Sequence, residues 1–168
     1  MNKNNIVLVG FMGTGKSTVG KALAERLNWT FVDVDREIEA VEGKSIPVLF
    51  REKGEEYFRQ SEQEQIARVM QGSRQIVSMG GGAVLREANR RAMAASGLVV
   101  ALTASASTIL ERVKNDPDRP LLAGNPEQKI AQLLKERKNA YQFADIHINT
   151  DELQVTEVVE AILSFPSG

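Results

Sequence analysis

The sequence predicts an α/β fold: a parallel β-sheet with helices on both faces. Three observations lead there. Short apolar runs alternate with segments of helical periodicity along the chain. The first apolar run leads directly into a glycine-rich loop that opens a helix. The 168 residues are 42% hydrophobic and 26% charged, an ordinary globular balance with length for one domain with a sizeable core.

The elements follow in chain order. Ile6-Val7-Leu8-Val9 is an uninterrupted apolar run, as expected of a strand buried on both faces. A helix over Lys16–Leu27 is predicted from Val19, Leu23 and Leu27 on one face. Further strands are expected at Thr30–Val34, Gln75–Met79, Leu98–Leu102 and Ile146–Ile148. Helical patterns fall near Arg36–Val41, Pro47–Lys53, Glu55–Met70, Glu87–Ala95, Ser107–Lys114 and Pro126–Tyr141. The last helix, near Val155–Leu163, places Val155, Val158, Val159, Ile162 and Leu163 at helical spacing. In such a sheet, ligands sit at the carboxyl ends of the strands.

Composition narrows the function classes. The net charge is -1, so no global basic field recruits nucleic acid, and an anion site must be built locally. Cysteine is absent, which excludes disulfides, thiolate chemistry and cysteine-ligated zinc. His147 is the only histidine and is read as structural, and Trp29 is expected to pack on the sheet or at its edge. No apolar run is long enough to span a bilayer and no signal-peptide core precedes the first strand, so a cytoplasmic location without membrane association is expected.

Gly10-Phe11-Met12-Gly13-Thr14-Gly15-Lys16-Ser17, followed by Thr18, fits a phosphate-binding loop. At ordinary residue frequencies its fixed positions recur by chance in roughly one chain of this length in two hundred. Gly13 and Gly15 let the backbone curl so that N–H groups point at phosphate oxygens. The helix that follows brings its positive end to the same anion. Lys16 supplies a mobile positive charge for the outer phosphates, and Ser17 a hydroxyl ligand for Mg²⁺.

Two further constellations lie at predicted strand ends. Asp33 and Asp35, two apart in a strand, would project to the same side of the second strand's tip. They could serve a cation or take a hydroxyl proton. Alternatively, Asp35 caps the next helix and Asp33 faces solvent. Gly80-Gly81-Gly82 follows the third strand, either exposing N–H groups to a close ligand or forming a flexible turn. Arg59, Arg119 and Arg137 could bind a carboxylate or phosphate in bidentate fashion, and composition does not single them out from Arg26, Arg68 or Arg90. Arg119 lies in the Pro-, Gly- and Asn-rich stretch Asn115–Pro126, which is read as a lid over the nucleotide or as a surface connection.

Taken together, these motifs closely resemble those of the shikimate kinase family, in the family's order and through nearly the whole chain. They comprise Gly13-Thr14-Gly15-Lys16-Ser17-Thr18 with Gly20, Asp33-Val34-Asp35, Gly54-Glu55, Phe58-Arg59 with Glu62, Gly80-Gly81-Gly82-Ala83-Val84, Arg119-Pro120-Leu121-Leu122, and Arg137 with Tyr141. The resemblance implies a three-layer P-loop kinase fold. It would have five parallel strands, a mobile lid near 112–125 and a substrate-binding helical region near 35–60, within a single domain over 1–168. It implies transfer of a phosphoryl group from MgATP to the 3-hydroxyl of shikimate, in aromatic amino acid biosynthesis.

Residue roles come from the same resemblance. Gly13, Thr14, Gly15, Lys16, Ser17, Thr18, Arg112 and Arg119 would bind ATP. Asp35, Arg59, Gly80, Gly81, Gly82 and Arg137 would bind shikimate, with Arg59 and Arg137 on its carboxylate. Ser17 and Asp33 would hold Mg²⁺. Lys16, Asp35 and Arg119 would be catalytic, with Asp35 orienting and deprotonating the acceptor hydroxyl. A monomer is expected. One departure from the family pattern is Asn139, where the family commonly carries a proline.

Other readings use the same loop. A gluconate or nucleoside monophosphate kinase is the nearest alternative. A nucleotide-dependent switch is more remote, because the chain has neither Asn-Lys-x-Asp nor a strand ending in Asp-Glu.

Overall fold

The computed structural model describes residues 4–113 and 125–165. Five strands form one sheet: β1 (Asn5–Gly10), β2 (Thr30–Asp33), β3 (Gln75–Ser78), β4 (Gly97–Thr103) and β5 (Ile146–Asn149). Their spatial order is β2-β3-β1-β4-β5, and every pairing is parallel. β1 sits at the centre, with all six residues buried, as its unbroken apolar run predicts.

Alternation along β1 separates two cores. Val7 and Val9 face one core, joined by α2 (Val34–Glu42), α3 (Ile46–Lys53), α4 (Glu55–Val69) and α5 (Glu87–Ser96) through Ile38, Leu49, Ile66 and Met93. Ile6 and Leu8 face the other, joined by α1 (Lys16–Leu27) and α8 (Val155–Leu163) through Leu23 and Val159. The expected three layers are therefore present. Trp29 packs against the second core, as expected. A smaller cluster around Phe11, Ile109 and Ile130 ties α6 (Ala106–Val113) and α7 (Pro126–Arg137) to the loop after β1.

Two expectations need correction, and one further element was not anticipated. β2 ends at Asp33 and α2 begins at Val34, so the strand does not run on through Val34. The single helix expected over Pro126–Tyr141 is an α-helix to Arg137 followed by a 3₁₀ turn over Lys138–Tyr141. A 3₁₀ turn over Ala83–Leu85 lies between the glycine triplet and α5. Among the described residues, no helix is long and apolar enough to cross a membrane.

Candidate active site

β1 ends at Gly10, and the chain turns through Phe11–Gly15 into α1. Gly13 and Gly15 adopt φ of 77° and 95°, a region that side-chain-bearing residues resist. Gly15 is the N-cap of α1 and makes no side-chain cap, so the helix brings its positive end to the loop. Lys16 reaches back across the loop, where Nζ donates to the carbonyls of Gly10 at 2.7 Å and Phe11 at 3.0 Å. Thr14 is buried and donates its hydroxyl to the Phe11 carbonyl at 2.8 Å. Ser17 and Thr18 lie exposed in the first turn of α1. Arg112, near the end of α6, donates to the Gly13 carbonyl at 2.8 Å.

The two aspartates are arranged differently from the strand argument. Asp33 is the N-cap of α2, and its Oδ1 accepts the N–H of Asp35 at 3.0 Å and of Arg36 at 3.4 Å. Asp35 lies in the first turn of the helix, not on the strand. The cap reading had the roles reversed, since Asp33 is the cap and Asp35 is the capped residue. Helix geometry turns Asp35 inward, where Oδ1 is buried without a hydrogen-bond partner. Burial raises its pKa to about 6, with Asp33 pushing the same way and Lys16 opposing. A largely buried carboxyl group with its pKa raised to about 6 is suited to general-base work.

The glycine triplet is the meeting point of the site. A Cβ on Gly80 would stand 2.7 Å from Asp35 Oδ1. A Cβ on Gly82 would collide with the guanidinium of Arg59. A Cβ on Gly81 would lie 3.4 Å from Arg137 Nη1. The absence of side chains thus admits one carboxylate and two guanidinium groups from α2, α4 and α7 to a common surface. Arg59 is held by Glu62 at 3.0 Å across one helical turn, and its guanidinium lies 5.2 Å from the Phe58 ring centre. Arg137 lies over the Phe11 ring at 5.4 Å, and the Tyr141 hydroxyl donates to the Gly81 carbonyl at 3.4 Å.

The described residues contain no group of three or more His, Asp or Glu that could cage a metal. A hydroxyl at Ser17 and a carboxylate at Asp33 fit a Mg²⁺ held mainly by nucleotide phosphates and water. Arg119 and nearly all of the lid read over 112–125 lie outside the described residues. His147, expected in a structural position, is exposed on the edge strand β5.

Glu62 is the clearest residue not assigned a role from sequence. It is 1% exposed and lies three residues after Arg59 on a helix. A buried acid at that spacing from an arginine is a legible ion-pair signal. Burial raises its pKa, and Arg59 opposes the shift. Phe11, beneath Arg137, could not be found from spacing because 126 positions separate the two.

Residues 12–166 match the family model for shikimate kinase. The chain belongs to the shikimate kinase family. A shikimate kinase of Sulfurihydrogenibium sp. is 51% identical over 95% of this chain and 96% of its own length. One from Persephonella marina is 48% identical over 95% and 96%. The structure of an Acinetobacter baumannii shikimate kinase in complex with shikimate superposes with a TM-score of 0.90 at 39% identity, covering 95% of this chain and 90% of that one. A Sinorhizobium meliloti gluconokinase, at a TM-score of 0.58 and 21% identity, shares the fold alone.

Proposed function

We propose that the chain is a shikimate kinase, transferring the terminal phosphoryl group of ATP to the 3-hydroxyl of shikimate. The observation that carries this reading is the glycine triplet. It gathers Asp35, Arg59 and Arg137 next to a phosphate loop whose lysine is close enough to bias the Asp35 carboxyl. One acid and two guanidinium groups suit a cyclic polyol with a carboxylate better than a nucleotide acceptor.

The division of labour is proposed from the family's pattern together with the placement of the described residues. The curled loop, with Gly13, Thr14, Gly15, Lys16, Ser17 and Thr18, binds the ATP phosphates, and Arg112 lies on the nucleotide side. Ser17 and Asp33 hold Mg²⁺, which when bound neutralises charge on the phosphate oxygens. Arg59 and Arg137 take the shikimate carboxylate, with Gly80, Gly81 and Gly82 as the floor. That anchoring presents a ring hydroxyl to Asp35, whose carboxylate orients it and accepts its proton. Lys16 and Arg119 stabilise the charge of the transferring group. The lid near 112–125 would exclude water as a competing acceptor. The region near 35–60 would form the acceptor side of a single domain that acts as a cytoplasmic monomer.

Sequence relatives and site chemistry both favour shikimate over gluconate. ADP release measured with shikimate, gluconate, nucleoside monophosphates and no acceptor tests the reading. Release dependent on shikimate is expected. Equal release with gluconate, or fast release without any acceptor, would overturn it.

A further inference from the structure

Beyond the residues already assigned, Thr150 occupies an unusual position. It follows β5 directly, is only 4% exposed, and lies 136 positions from the phosphate loop that it touches. Its hydroxyl lies 3.3 Å from the Thr14 carbonyl and 3.1 Å from the Thr103 carbonyl. Its N–H donates to the same Thr103 carbonyl at 2.8 Å, which fixes it to the end of β4. Arg112 closes the arrangement. Nη1 donates to the Gly13 carbonyl at 2.8 Å and to the Thr150 hydroxyl at 3.3 Å, and Nη2 donates to the Thr150 carbonyl at 3.2 Å.

The geometry bears on the loop's chemistry through the peptide plane. In a trans peptide the C=O and the following N–H point in opposite directions. Described peptide bonds in this chain are all trans. Holding the Gly13 carbonyl toward Arg112 therefore turns the Thr14 N–H the other way. Holding the Thr14 carbonyl toward Thr150 does the same for the Gly15 N–H. Gly13 and Gly15 both have φ in the left-handed region, where backbone planes rotate at little cost. Two N–H donors of the phosphate loop thus have their direction set from behind by Arg112 and Thr150.

We infer that Thr150 is a positioning residue for the nucleotide, acting with Arg112 through the Gly13 and Thr14 carbonyls of the phosphate loop. This rests on the nucleotide reading of that loop given above. The hydroxyl accepts from Arg112 and shares its single proton between the Thr103 and Thr14 carbonyls, so a valine of the same shape removes the link to the loop without leaving a cavity. Serine keeps the hydroxyl and retains the link.

Calorimetric titration of the full chain with Mg·AMP-PNP, alongside steady-state kinetics, tests the inference. Thr150→Val is expected to weaken AMP-PNP binding about three- to tenfold, the effect of one lost hydrogen bond. The KM for shikimate at saturating ATP should stay the same, and Thr150→Ser should restore binding to within about twofold. In an Arg112→Ala background the Thr150→Val effect should shrink, because residues in contact do not act additively. Arg112→Lys, on an exposed side chain, covers the case in which Thr150→Val fails to fold. It keeps the charge but loses the fork that reaches Gly13 and Thr150 together, and should also weaken AMP-PNP three- to tenfold. The inference is overturned if folded Thr150→Val, or Arg112→Lys, binds AMP-PNP like the parent. It is also overturned if both substrates weaken together and serine fails to rescue. Failure of the unmodified chain to bind AMP-PNP would instead overturn the nucleotide reading itself.

Discussion

Asp33 holds Asp35 in place: the Oδ1 of Asp33 accepts the Asp35 N–H at 3.0 Å. The carboxylate proposed for the metal therefore also fixes the turn from which the proposed base projects. The two acids are chemically linked, because the Asp33 charge helps to raise the Asp35 pKa to about 6, behind the larger effect of burial. The capped helix start thus fixes the position of Asp35 and adds to the effect of burial on its basicity.

Asp35→Asn should separate function from stability. The folded pKa of Asp35, about 6, lies above its ordinary value of 3.8, so the folded protein binds this proton more readily than the unfolded chain. The charged form is therefore a cost to the fold, fully present above about pH 6 and relieved as pH falls from 6 towards 4. The neutral amide should stabilise the unliganded protein at pH 7.5 by on the order of 1–3 kcal/mol and abolish most turnover. Thermal unfolding at pH 7.5 and at pH 4, where the gain should vanish, checks the sign. A lower Tm with near-normal turnover would remove Asp35 from the chemistry.

The same ionisation should appear in the kinetics. A base must be deprotonated, so kcat/KM for shikimate should fall about tenfold per pH unit below about pH 6. An unshifted carboxyl would move that limb to about pH 4. Kinetics between pH 4.5 and 8 separate the two. A flat profile across pH 5–7 would mean that no such base limits the reaction.

Gly82→Ala should disturb the acceptor side alone. Its Cβ meets the Arg59 guanidinium, which is already fixed by Glu62. Displacing that guanidinium should raise the KM for shikimate about ten- to a hundredfold, while the KM for ATP changes by less than about twofold. Equal effects on both constants would indicate general misfolding and not a shift of Arg59.

Lys16→Met removes a cation that bridges the Gly10 and Phe11 carbonyls. It should lower kcat on the order of a thousandfold, and Arg119→Ala should do likewise, if both neutralise the transferring group. Single-turnover measurements with saturating ATP and shikimate check this. A loss under about tenfold would mean the charge comes from elsewhere.

How far the sequence foretold this site depended on the kind of signal. The phosphate loop was legible because each residue type is demanded by chemistry at a fixed spacing, and the five strands because apolar runs mark them. The tip of β2 was misread because Val32, Asp33 and Val34 continue the apolar–polar alternation of a strand. Treating it as strand put Asp35 on the wrong element, although Asp33 is a standard helix-capping residue. The break after Arg137 was invisible because helical periodicity does not distinguish an α-helix from a closing 3₁₀ turn. That turn includes Asn139, so it forms without the proline common in the family. Contacts such as Arg137 on Phe11 and Thr150 on Thr14 join distant positions, and one sequence carries no record of them.

The most direct measurement is a crystal structure with shikimate, Mg²⁺ and a non-hydrolysable ATP analogue bound together. The 3-hydroxyl oxygen is expected about 3–3.5 Å from the γ-phosphorus and in line with the bond to be broken, within hydrogen-bond reach of Asp35, with the carboxylate on Arg59 and Arg137. Shikimate bound away from the glycine triplet, or its 3-hydroxyl turned from the nucleotide with no contact to Asp35, would contradict the account.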